Sequence, residues 1–255
     1  MINRQTRFMG IAPSIQGESL AFAVIDEHLH PLFVSIDNLE RALASAAEQQ
    51  PKTVGVGAPP NLNHRIVADP DKRADLGLPV KRGRPMDCRV AEYKILLQGV
   101  DIYRTPSQMA KAKDWMLTGF KIYTGLKELG FSPYEEKTEK NRWVETPPET
   151  CFWLWLQGNL MDADSLEGRI QRQLSLYALG MDIPDPMNFF EEITRYRLLK
   201  GILVEEGLYS SAELNAIASA YVAWAVVQRP NEVSFVGDEG EGQIVIPNQA
   251  IPAVF

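Results

Sequence analysis

The chain has 255 residues, 45% of them hydrophobic, and a formal net charge of −7. That apolar fraction supports a substantial buried core and excludes a disordered or low-complexity chain. The negative balance excludes a broad electropositive surface for nucleic acid and leaves room only for a local basic patch.

Cys88 and Cys151 lie far apart and form no CxxC pair. Neither a disulfide framework nor a zinc site is expected, and a reducing, cytoplasmic compartment is. The opening residues MINRQTRFMG are too polar for a signal-peptide core. Long uncharged stretches such as Cys151–Met161 and Asn215–Gln228 fall short of the roughly 20 apolar residues of a membrane span, so no membrane partner is expected.

Phe8–Ser14 (FMGIAPS) is a short, glycine-interrupted apolar run broken by proline, the pattern of a buried strand that covers Arg7–Ala12. After a turn signal at Gln16–Gly17, Leu20–Ile25 runs to a polar tip at Asp26–His30, and Pro31–Ile36 returns. These segments predict a meander of three antiparallel strands. Asp37 or Asn38 can cap a helix whose Leu39, Leu43, Ala46 and Ala47 keep helical spacing. Val54–Pro60 (VGVGAPP) is the next strand, and a strand reached through a helix is usually parallel to one already in the sheet.

From about residue 61 to 139 the chain is polar and proline-punctuated, and reads as a mainly helical insertion within one domain spanning 1–255. Helices are predicted over Met86–Leu97 and Ala110–Leu129. The stretch Asp71–Lys94 carries seven Lys or Arg against four Asp or Glu, with Lys81, Arg82 and Arg84 packed around Gly83. It is either a solvated loop or, with Arg89, a phosphate-contacting one. Arg142–Pro148 (RWVETPP) repeats the strand-then-proline form but keeps an acid, Glu145. The aromatic run Cys151–Leu156 is either core or a surface for a protein partner.

Helices are predicted next over Leu166–Leu179 and over Asn188–Glu206, the latter with Phe189, Ile193, Tyr196, Leu199 and Leu203 on one stripe. Ser210 and Glu213 form a capping box at the head of Ser211–Gln228. Val233–Val236 and Gln243–Pro247 close the chain as a hairpin around GDEGEG, a solvated turn.

In their order along the chain, several phrases carry a family likeness. They are the GIAPS strand end, VGVGAPP, RPMDCRVAEYKI, MLTGFKIYTGLKELGF, VETPPE, LEGRIQRQLSLYALG, AELNAIASAY and VGDEGEGQIVIP. Together they resemble the predicted RNase H-like nucleases of the domain-of-unknown-function 429 family. The resemblance implies an α/β fold with a mixed sheet, three antiparallel strands followed by parallel ones, flanked by helices. It also implies four acids at the strand ends and the terminal helix, at the positions of Ala12, Gly57, Glu145 and Asn215.

Here only Glu145 keeps a carboxylate. Two-metal phosphodiester cleavage needs anionic oxygens that hold two cations about 3.5–4 Å apart, and hard cations want such ligands. One carboxylate and one amide cannot neutralise two divalent ions. The expectation is therefore a degenerate site without a cofactor, kept for nucleic-acid or nucleotide binding or for scaffolding. The alternative is an active nuclease that uses Mg²⁺ or Mn²⁺ with a rearranged acid set, Glu145 with Asp87 or Glu92, or with Asp238. Glu213 lies about 200° round the helix from Asn215 and is better explained as a cap. His28 and His30 lack a third metal ligand, and His64 reads as a surface or capping residue that could border the site.

Overall fold

In a computed structural model the described residues are 6–14, 19–80, 86–135, 141–203, 205–238 and 240–251. In chain order the elements are β1 (Arg7–Pro13), β2 (Leu20–Asp26), β3 (Pro31–Asp37), α1 (Leu39–Gln49), β4 (Thr53–Val56), α2 (Pro70–Asp75), α3 (Val90–Leu97), α4 (Asp114–Glu128), β5 (Ser132–Pro133), β6 (Arg142–Glu145) and α5 (Pro148–Trp155). They continue with α6 (Leu166–Ala178), α7 (Asn188–Glu192), α8 (Arg195–Leu199), α9 (Ser211–Gln228), β7 (Val233–Asp238) and β8 (Gly242–Pro247). The turn signal at Gln16–Gly17 lies outside the described residues.

All eight strands join one mixed sheet in the order β3-β2-β1-β4-β6-β8-β7, with β5 also paired to β6. The first three strands are antiparallel, and β4 and β6 follow in parallel. This is the arrangement the resemblance implied. The segment read as an insertion supplies α2, α3 and α4, and ends in the two-residue β5 at the sheet.

Both faces of the sheet are covered, so its central strands are apolar on both sides. Alternation sorts β1: Met9 and Ile11 pack with Val54, Val56, Ile122 and Leu126 beneath α1 and α4. Phe8 and Ala12 face the opposite core, with α5, α6 and α9. On that face Gly10 and Gly55 stand side by side in register. A Cβ on Gly10 would lie 2.0 Å from the Ala216 carbonyl oxygen, and one on Gly55 would lie 2.2 Å from that of Ser219. The glycines interrupting the two apolar runs thus let the backbone of α9 rest on the sheet.

Local signals account for most helix ends. Asn38 accepts from the Arg41 amide at the start of α1, and Ser165 from Gly168 at the start of α6. Ser210 and Glu213 exchange bonds as a capping box at α9. The helix expected from Met86 instead begins at Val90, because the Glu92 side chain reaches back to the Arg89 amide.

The single helix expected over Asn188–Glu206 does not form. The chain leaves α7 at Ile193, which is extended, and Thr194 starts α8 afresh by accepting from the Arg197 amide. Tyr196 and Leu199 of the expected stripe are 69% and 87% exposed. A short helix with no partner for its apolar stripe lacks most of what stabilises a helix, and the Ile-Thr pair offers a cap instead. Among the described residues, no helix is long and apolar enough to cross a membrane.

Candidate functional site

The close seating of α9 on Gly10 and Gly55 fixes where its first turns lie. Asn215 comes to the end of the sheet where β1 stops at Pro13 and β4 gives way to Gly57. There Ala12, Gly57 and Asn215 line one cavity of about 450 Å³, together with Tyr103, Trp115 and Trp153. Three of the four positions singled out in the sequence therefore meet at one place. None of the three carries a charge.

Gly57 is held in this floor by packing as well as pairing. Its amide donates to the Ile11 carbonyl at 2.8 Å. A Cβ there would sit 3.1 Å from Cδ and 3.2 Å from Cγ of Pro148, so Pro148 would have to yield to any side chain. The VETPP proline that ends the third strand thus closes against the bare strand end of the second.

The fourth position, Glu145, is the last residue of β6 and is 4% exposed. Its carboxylate is fully engaged. Arg89 donates from both terminal nitrogens, one bond measuring 2.8 Å, and the Tyr103 hydroxyl donates at 2.6 Å. The same arginine donates through Nε to Glu92 at 3.0 Å. Glu92 also accepts the amide and hydroxyl of Thr105. Arg89, Glu92 and Thr105 are all fully buried.

Burial pushes the Glu145 carboxyl up, and the Arg89 guanidinium opposes that rise. For Arg89 burial disfavours the charge, but Glu145 and Glu92 outweigh it and hold the guanidinium far above its ordinary range. The pair is closed on itself. Burial and the adjacent Glu145 raise the Tyr103 phenol well above its usual value, so it donates its proton rather than losing it. Glu145 thereby steadies Tyr103, whose ring meets Trp115 edge-on at 5.1 Å along the cavity wall.

The other expected site residues lie as follows. Arg89 sits inside, with its donors on Glu92 and Glu145, whereas Lys81, Arg82 and Arg84 lie outside the described residues. Asp87 accepts from the Asn63 side chain at 2.9 Å and the Ser107 amide at 3.0 Å, a loop tie. Burial opposes ionisation of Asp87, but the bonds from Asn63 and Ser107 hold its carboxyl below 3.8.

Glu241 departs from the solvated turn expected of GDEGEG. It is 2% exposed and accepts the amides of Val90, at 2.8 Å, and His64. A carboxylate at the head of α3 complements the free amides and positive end of that helix. Asp238 accepts the amides of Gly240 and Glu241 within the turn. His64 is exposed and does not line the cavity.

His28 and His30 stand at the opposite end of β2, where His30 Nδ1 lies 3.1 Å from Asp26 and Nε2 lies 3.4 Å from Asp182. Among the described residues, no group of three or more His, Cys, Asp or Glu is placed to hold a metal ion. Cys151, Phe152 and Trp155 of the aromatic run are buried in the core beside α9, while Trp153 turns to the cavity.

The sequence reading missed Tyr103, which lies in a stretch with no periodicity, and the part Pro148 plays against Gly57. Trp115 reads from the sequence only as an apolar helix position, and Trp153 only as part of the aromatic run.

No curated protein and no solved structure matches the chain. A family model described as "Protein of unknown function (DUF429)" matches residues 17–241. That span includes Gly57, Glu145 and Asn215 and every helix and strand from β2 to β7, so the chain belongs to the DUF429 family.

Proposed function

We propose that this DUF429 protein is an RNase H-like member that has lost two-metal phosphodiester cleavage and binds a nucleotide-sized or nucleic-acid ligand at the former metal site. The observation that carries the reading is the commitment of Glu145. The one carboxylate at the four expected positions is bound by Arg89 from beneath, while Ala12, Gly57 and Asn215 present a neutral floor to the cavity. A cation at that floor would meet an amide, two positions without ligand atoms on their side chains, and a guanidinium behind the nearest acid. The commitment of the Glu145 oxygens to Arg89 and Tyr103 and the missing anionic oxygens at the other three positions both oppose it.

The cavity instead suits an organic ligand. It is concave, largely apolar and walled by aromatic rings, with a few polar groups at its edge. Binding without turnover is the expected behaviour, and the protein acts as a cytoplasmic binding or scaffolding component.

The test is incubation of the full chain with single- and double-stranded DNA and RNA in Mg²⁺ or Mn²⁺. Unchanged substrates are the expected result. Cleavage that disappears in Glu145→Ala would overturn the reading.

A further inference from the structure

We infer that the cavity at the strand ends accepts a planar nitrogen heterocycle of the kind a nucleobase presents, read at its edge by the Asn215 amide and held on its faces by Trp115 and Trp153. The inference rests on the reading that the site no longer holds metals, and it names the ligand chemistry that replaces them.

The first support is the state of Asn215. Its Oδ1 is shielded from solvent and has no hydrogen-bond partner. A buried acceptor left unmatched is destabilising, and one in a native fold calls for an explanation. Asn215 also lines the cavity. Its terminal torsion is soft, so a small rotation presents a carbonyl acceptor and an NH₂ donor side by side to a ligand. An adjacent donor and acceptor are what a nucleobase edge displays, and they are what an asparagine amide pairs with in two bonds at once.

The second support is the shape and chemistry of the walls. Ala12 and Gly57 line the cavity without charge, and Pro148 packs against Gly57. Tyr103 and Trp115 meet at 69°, with Tyr103 tied by its hydroxyl to buried Glu145, so that wall is held in place before a ligand arrives. Stacking on such rings is tolerant of base identity. The volume of about 450 Å³ admits one small heterocycle with its sugar and not a duplex.

The third support is the rim. Lys113 is exposed at the cavity edge, but Asp101 and Glu149 stand there too. Glu149 is itself bound by Arg172 at 2.6 Å. A mixed rim of this kind suits a ligand recognised by its ring rather than by a polyanionic backbone, whose neutralisation needs a row of cations.

The ring could come from a free nucleoside or from an unpaired base in a single strand, and the experiment separates the two. The full chain is titrated with adenosine, guanosine, cytidine and uridine, and with single-stranded DNA and RNA, by calorimetry and tryptophan fluorescence. Inorganic phosphate serves as competitor. Saturable binding is expected for at least one nucleoside, undisturbed by phosphate and weakened about tenfold or more by Asn215→Leu and by Trp115→Ala.

Circular dichroism and the melting temperature establish that each variant is folded, and Trp115→Ala stands in if Asn215→Leu is not. Strand binding with the same dependence on both residues, tighter than for nucleosides, assigns the base to a nucleic acid. Nucleoside binding without strand binding assigns it to a free metabolite. The inference is overturned if no nucleoside and neither strand binds in a manner that depends on Asn215 or Trp115. Turnover of a strand in the preceding cleavage assay overturns the loss of catalysis, whereas binding that is indifferent to both substitutions overturns this inference and leaves ligand binding in place.

Discussion

Arg89 grips the carboxylate of Glu145 with both terminal nitrogens of its guanidinium, deep under the end of the sheet. An acid expected to face a cation thus faces a permanent cation of the chain itself. The arginine comes from the head of α3, a segment inserted between the second and third strand-and-proline frames, and Glu92 on the same helix holds its other side.

Breaking this pair from the arginine side leaves two buried carboxylates without a counter-charge. Arg89→Met is expected to destabilise the fold by about 3–5 kcal/mol, measured by urea unfolding. Adding Glu145→Gln to it should recover part of the loss, since one uncompensated charge is then removed. Equal stability of the single and double variants would show that Glu145 is not held by Arg89.

The two strand glycines on the α9 face should respond differently from Gly57. In Gly55→Ala the new Cβ falls 2.2 Å from a backbone oxygen of α9, which cannot move without lifting the helix. A loss at the upper end of about 1–3 kcal/mol is expected in thermal or urea unfolding. In Gly57→Ala the nearest atom is Cδ of Pro148, at 3.1 Å, and a small shift of the ring relieves it. The loss there should be smaller, and the reverse order would contradict the close seating of α9.

Restoring acids at the floor is not expected to restore a metal site. The variant Ala12→Asp/Gly57→Asp/Asn215→Asp still has Arg89 behind Glu145, and its residue 57 must displace Pro148. Melting curves with and without millimolar Mn²⁺ should coincide, because a ligand raises stability only when it binds the folded state. A Mn²⁺-dependent rise with Arg89 intact would show that Glu145 can be freed.

Asp26 predicts a pH dependence at the opposite end of the sheet. Burial opposes its charge, but the amides of His30 and His28 and the His30 ring outweigh it, and the carboxyl is held below its ordinary 3.8. A carboxyl lowered on folding contributes stability that is present above pH 3.8 and is lost as the pH falls through the lowered value. The stability difference between the native chain and Asp26→Asn should therefore shrink below about pH 4. A difference that persists undiminished at pH 2 would remove the assignment.

Strands, most helices and their caps were legible because they rest on local chemistry. Apolar runs bounded by turn signals marked β1 to β3, Asn38 and Ser210 marked helix starts, and prolines marked the strand ends. The break at Ile193–Thr194 was not legible, since a stripe of apolar residues predicts a helix only if something covers it. Here Leu199 is left 87% exposed.

By itself the sequence determined that Ala12, Gly57 and Asn215 carry no carboxylate, because charge at a position is a matter of composition. It also determined that the frames around those positions remain, through the glycines and prolines that fold them. Only the tertiary structure decided that Glu145 is bound by Arg89, that Glu241 turns inward to α3, and that Tyr103 and two tryptophans wall the cavity. The hydrogen bonds among them join residues from 42 to 177 positions apart in the chain. Nothing in local propensity encodes them; they follow from which helix the sheet draws over its ends.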